Sequence, residues 1–169
     1  LKAWNKANNG NLVAIGDTVI SPISVYSKQL KNISDIKEGG TIAVPNDASN
    51  ESRALYVLKS AGLIKLDVSG QTLATVKDIT SNPKNLVIKE LDASQTARAL
   101  DSVDAAVINN NYAVTAGLKK SDAIFTEPVN KDSQQWINII VANKKDENNT
   151  VYKDVVKAYE TEATKKTIA

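Results

Sequence analysis

Apolar positions along this chain fall in short runs, separated by polar breaks rich in Asn, Asp, Ser, Gly and Pro. Residues 12–15, 18–20, 23–26, 41–44, 63–66, 86–91, 105–108, 124–125 and 136–142 read as strands or extended apolar pieces. Between them the spacing turns helical. Residues 1–9 form a helix end stopped by Asn-Asn-Gly, and Ser34 can cap a short helix that Gly39-Gly40 ends. Residues 51–61 form a helix with Ala54, Leu58 and Ala61 on one face and Gly62 as the stop. "TVKDITSNPKN" predicts one or two helical turns, residues 94–101 another helix, and "INNNYAVTAGL" a short helix ended by Gly117. A long amphipathic helix is expected over 149–167, with Val151, Val155, Val156 and Tyr159 on its apolar face. Strands alternating with helices argue for an α/β fold with largely parallel sheets.

Composition narrows the function. The hydrophobic share of 42% and charged share of 24% are those of a soluble globular protein. Aromatics are only 5%, so the core must rest on Val, Ile, Leu and Ala. The net charge is +2, and the lysines are scattered in runs no longer than two, the pattern of a solvated surface rather than a nucleic-acid interface. With no Cys and no His, zinc sites built on those residues, thiol nucleophiles and histidine triads are excluded within this chain. No dinucleotide fingerprint, P-loop or G-x-S-x-G is present, and no cofactor or metal is expected. No apolar run approaches the roughly 20 residues that span a bilayer. There is no Met, and the sequence opens on a helical "LKAWNKANNG", so a processed or truncated form of a longer protein is expected.

Three segments carry candidate binding chemistry. "VPNDASNESR" turns a strand into a helix, and ligands of open α/β sheets collect at such strand ends, beside helix N-termini. Asn46 and Asn50 would face that space. Arg53, one of only two arginines against 19 lysines, falls in the first turn of the expected helix. A cation there is unfavourable by roughly 0.3–1 kcal/mol. An anionic ligand gripped by the guanidinium fork would offset this; an exposed pair with Glu51 or Asp47 is the plainer alternative. Replacing Arg53 with Ala is on either account expected to leave folding nearly unchanged. "VDAAVINNN" places Asn109 at the end of a buried strand, where it can donate and accept, or merely turn the chain. "QQWINIIV" sets Asn138 in an apolar strand, as a ligand contact or on the wet face of an edge strand. Trp136 there is core, interface or the wall of an apolar site.

"IAVPNDASNESRALYVLKSAGLI", "TVKDITSNPKNLVIKELDASQTARAL", "VDAAVINNNYA" and "WINIIV" closely resemble the methionine-binding lipoproteins, the substrate-binding components of bacterial methionine ABC importers. The resemblance runs from about Leu12 to the C-terminal helix. It implies an α/β, two-lobed periplasmic-binding-protein fold of the second type. One lobe would be incomplete, because the family has an aromatic and His-containing stretch ahead of the position matching Leu1. Residues 1–21 and 128–169 would belong to the first lobe and 22–127 to the second. By matching position, the resemblance makes Arg53 the partner of a ligand carboxylate and Asn109 and Asn138 contacts to an amino-acid head group. Asn46 and Asn50 would shape the loop, and Trp136 would wall the ligand side chain. Where the family reads Pro-Tyr-Val-Asn this chain has "QWIN", so an α-amino acid is implied more strongly than methionine itself.

The implied function is capture of methionine (L or D, or in a dipeptide) and its delivery to an ABC permease. The complete protein would sit on the extracytoplasmic face of the cell membrane, held by a lipid anchor. The alternative is a ligand-sensing domain of a receptor or regulator with the same fold. An enzyme would need a base or nucleophile that no segment supplies, and a surface adhesin with vestigial binding is a weaker reading.

Overall fold

The computed structural model describes residues 1–68 and 72–168. In chain order its helices are α1 (Lys2–Asn8), α2 (Ala48–Ser60), α3 (Thr96–Ala99), α4 (Asn110–Thr115), α5 (Thr150–Tyr159) and α6 (Glu162–Ile168). Its strands are β1 (Leu12–Asp17), β2 (Ser24–Tyr26), β3 (Thr41–Pro45), β4 (Lys65–Leu66), β5 (Ile79–Ser81), β6 (Val87–Leu91), β7 (Ala105–Ile108), β8 (Ala123–Thr126) and β9 (Ile139–Asn143). The fold is α/β. The chain divides into two compact units, one of Leu1–Ser21 with Trp136–Ala169 and one of Pro22–Gln135. The return to the first unit comes at Trp136, where the sequence reading put it at residue 128.

The second unit is built on a five-stranded sheet in the order β6-β3-β7-β2-β8. β3 is parallel to β6 and β7, and β2 is antiparallel to both of its neighbours. β8 therefore runs the same way as β7, and β2 alone is reversed. Ile42, Ala43, Val44, Ala105, Ala106, Val107 and Ile108 have essentially no exposure. Strands covered on both faces read as unbroken apolar runs, which is why these two were legible in sequence. α2 buries Ala54, Leu55, Val57 and Leu58. It ends where Gly62 adopts φ 75°, a left-handed conformation open to glycine without strain.

The first unit is smaller. β1 and β9 pair antiparallel, with a bulge between Ala14 and Gly16. Gly16 is needed by packing: a Cβ there would lie 2.7 Å from Val156 Cγ1 of α5. Val156 thus faces the sheet, whereas Val151 and Val155, expected on the same apolar face, are 64% and 52% exposed.

Several expected elements differ. Residues 18–20 are not a strand, since β1 continues through Gly16 and ends at Asp17. The helical turns expected in "TVKDITSNPKN" are a single 3-10 turn, Val76–Asp78, that passes into β5, which pairs with β4. The short helix after Lys31 is the 3-10 turn Ile33–Asp35. It starts after Asn32, whose N–H donates to Asp35 Oδ2 at 3.1 Å, so Ser34 lies inside it rather than capping it. Residues 132–136 take up a 3-10 turn, so β9 begins only at Ile139. The long C-terminal helix breaks at Glu160, and Thr161 Oγ1 accepts the Thr164 N–H at 3.2 Å, a fresh cap for α6.

α2 also begins earlier than its apolar spacing suggests, because Asp47 caps it: an Asp47 oxygen accepts the Asn50 N–H at 3.1 Å. Its first two turns then pin the loop that precedes β5. Ser52 Oγ, fully buried, accepts the Ala74 N–H at 2.9 Å, and Glu51 Oε1 accepts the Val76 N–H at 3.1 Å. Glu51 is 6% exposed, and burial pushes its carboxyl pKa up against the lowering effect of the Val76 N–H, with Glu90, Asp47 and Asp78 adding to the rise. The folded chain therefore holds this proton more tightly than the unfolded chain does. Stability from this group is fully present below the ordinary carboxyl value of about 4.3 and is lost as pH rises through the folded value. A Glu51→Gln variant keeps the acceptor and carries no charge. It is expected to melt above the parent at neutral pH, with the gap closing at about pH 4. Circular-dichroism melts across that range test this, and a shift independent of pH would trace the effect to packing.

Candidate functional site

The topology gathers the site. β3, β7 and β8 run the same way, so their carboxyl ends share one edge of the sheet, and the reversed β2 brings its amino end to that edge. In the ladder Ser24 faces both Ile108 and Thr126. Asn46 and Asp47, Asn109, Glu127 and Ile23 all emerge there. The carboxyl edge is where open α/β sheets place ligands.

Arg53 reaches this edge from α2. With the helix starting at Ala48, Arg53 sits in the second turn, beyond the first-turn range of the helix dipole. The expected penalty on this cation therefore largely disappears. Its partner is neither Glu51 nor Asp47. Arg53 Nε donates to Glu127 Oε1 at 2.9 Å and Oε2 at 3.2 Å, and its terminal amino group donates to Oε2 at 2.5 Å. The side chains are 11% and 5% exposed. Glu127 Oε2 also accepts the Ile23 N–H at 3.2 Å, while the Glu127 N–H donates to the Ile23 carbonyl at 3.0 Å. One buried carboxylate thus ties α2 to the start of β2 and the end of β8.

Asn50 lies one turn before Arg53, at the three-residue spacing that puts both on one helix face. Its Nδ2 donates to both Asp47 oxygens, at 3.1 and 2.9 Å, and its Oδ1 accepts from Asn109 Nδ2 at 2.7 Å. Asn109 Oδ1 is buried and meets no donor among the described residues. Leaving a buried acceptor unmet costs about 1–3 kcal/mol. Asn46 is exposed, and its N–H closes the β3–β6 edge by donating to the Leu91 carbonyl at 2.8 Å.

The structure thus brings Arg53, Asn50 and Asn109 together and sets Asn46 beside them. Asn138 and Trp136 belong to the other unit. Asn138 is exposed and precedes β9, rather than lying within the strand as expected. Its Nδ2 and backbone N–H both donate to the Val19 carbonyl at 3.0 Å, and its own carbonyl accepts from Thr18 N and Oγ1 at 2.8 Å. Trp136 is half-buried and ends a 3-10 turn. The sequence reading missed Glu127 as a partner and the capping role of Asp47. Glu127 is a lone acid at a strand end just before Pro128, and Asp47 stands three residues ahead of Asn50, the spacing of a capping side chain.

Known proteins resemble this chain in sequence and in fold. The model of the NlpA lipoprotein family matches residues 1–169. The probable D-methionine-binding lipoprotein MetQ of Pasteurella multocida is 47% identical over 152 residues, which cover 89% of this chain. The chain spans 54% of that relative's length. Among solved structures, the substrate-binding protein of a methionine transporter from Streptococcus pneumoniae is 54% identical with a TM-score of 0.86, over 99% of this chain and 67% of its own. A nutrient-binding protein from Burkholderia cenocepacia, bound to methionine, is 44% identical with a TM-score of 0.87, over 99% of this chain and 70% of its own.

The burial of Glu127 revises the expected effect of losing Arg53. Arg53→Ala strands a buried carboxylate and is expected to destabilise the fold by about 3–5 kcal/mol. Combining it with Glu127→Gln should recover most of that loss, because no unpaired charge remains. A double-mutant cycle from urea unfolding measures the coupling, and strictly additive effects would show that the pair contributes nothing jointly.

Proposed function

The chain belongs to the NlpA lipoprotein family, and from that premise we propose that it captures an amino acid, methionine or a close relative, for an ABC importer. The complete protein would deliver the ligand to a membrane permease from the extracytoplasmic face, held there by a lipid anchor. The names of its relatives support this reading: a D-methionine-binding lipoprotein, the binding component of a methionine transporter, and a nutrient-binding protein with methionine in place. Such proteins bind and release, and capture involves no covalent step.

The single observation that carries the reading is the unmet buried acceptor, Asn109 Oδ1, one amide away from the face of α2 that bears Arg53. A zwitterionic head group suits the two together. Its carboxylate is the kind of group that a guanidinium such as that of Arg53 recognises, and its ammonium supplies what Asn109 lacks. Because Glu127 already balances the Arg53 charge, the arrangement favours a neutral zwitterion over a bare anion. Asn46 shapes the adjoining loop, while Asn138 and Trp136 enter the proposal only through the family resemblance.

Calorimetric titration is expected to show binding of L- or D-methionine or of a methionine-containing dipeptide. Arg53→Lys keeps a cation for Glu127 but loses the planar fork, so affinity should fall by roughly 10- to 150-fold, the worth of one charge-assisted bond of about 1.5–3 kcal/mol. Binding of sugars or metal ions alone would refute the assignment.

A further inference from the structure

Asp47 does more than cap α2. A carboxylate only accepts hydrogen bonds, so whatever approaches it must donate. Asn50 does so with Nδ2 at 2.9 and 3.1 Å, which turns Asn50 Oδ1 toward Asn109. Asn109 must then present Nδ2 to Asn50, at 2.7 Å, and is left with Oδ1 as the atom that awaits a ligand. The reverse arrangement would press Asn50 Oδ1 against the Asp47 carboxylate, acceptor against acceptor. The polarity of both amides is thus dictated from one end of the chain of bonds.

We propose that Asp47 is a positioning residue that sets the polarity of the Asp47–Asn50–Asn109 relay, so that the site selects ligands bearing a donor on the carbon next to the carboxylate. An α-ammonium satisfies Asn109 Oδ1. An α-keto acid sets a second acceptor against it, and a des-amino acid leaves it unmet. This rests on the amino-acid reading given above and adds the origin of its selectivity.

The test separates capping from polarity, because Asn caps a helix as well as Asp does but offers a donor as well as an acceptor. The full chain and its Asp47→Asn variant are titrated with methionine, 4-methylthio-2-oxobutanoate and 4-(methylthio)butanoate. The parent is expected to prefer methionine to the keto acid by at least about 100-fold, as opposed contacts at a buried polar group allow. In Asp47→Asn the relay can reverse, so methionine weakens, the keto acid tightens, and the gap narrows at least about tenfold with the melting midpoint unchanged. If that midpoint falls, Asp47→Ser is titrated instead, since its hydroxyl caps the helix but is too short to dictate the Asn50 amide. Unchanged selectivity, or parallel weakening for all three ligands, overturns the relay while the amino-acid reading stands. A parent that binds no amino acid overturns both.

Discussion

The arrangement at the carboxyl edge of the sheet depends on one carboxylate taken out of water. Glu127 is 6% exposed, and an ion in that position must be met by charge and by hydrogen bonds or the fold loses several kcal/mol. It is met by two nitrogens of Arg53 and by the Ile23 N–H. The same contacts that neutralise Glu127 fix the guanidinium plane, so a long side chain that would otherwise sample many rotamers is held in one orientation. The pairing also balances the charge of the arginine within the protein.

That pairing is possible because of a single reversed strand. With β3, β7 and β8 parallel, Asp47, Asn109 and Glu127 all leave the sheet at the same edge, although they lie far apart in sequence. β2 runs against them and delivers the Ile23 N–H to that edge from its amino end. Were β2 parallel to its neighbours, this N–H would lie at the opposite edge and the Glu127 oxygen would lose a donor. The side chains that answer one another here therefore depend on strand direction as much as on residue type.

The two units are built differently. In Pro22–Gln135 the central strands and α2 bury large aliphatic side chains almost completely. In the other unit Ala142 is the buried apolar residue of the β1–β9 pair, and Val141, Val151 and Val155 remain exposed. Val156 approaches Gly16 so closely that the position needs a residue with no side chain.

Much of this was legible in the residues themselves. The apolar runs of β3 and β7 identified buried strands, since few other structures tolerate unbroken Val, Ile and Ala between turn residues. Gly62 and Gly117 marked helix ends, because a positive φ suits glycine. Arg53 stood out as a rare arginine near the start of a helix, and Asn109 by its position at a strand end. The helix boundaries were less legible: α2 begins at an aspartate cap rather than at its first apolar residue, and a threonine cap divides α5 from α6. What only the tertiary structure decided is pairing. No local signal joins Arg53 to Glu127, which lies 74 positions on, or Asn50 to Asn109, 59 positions on. Those partners are chosen by the order and direction of strands, and a hydrogen bond between distant residues leaves no periodicity in the sequence that it closes.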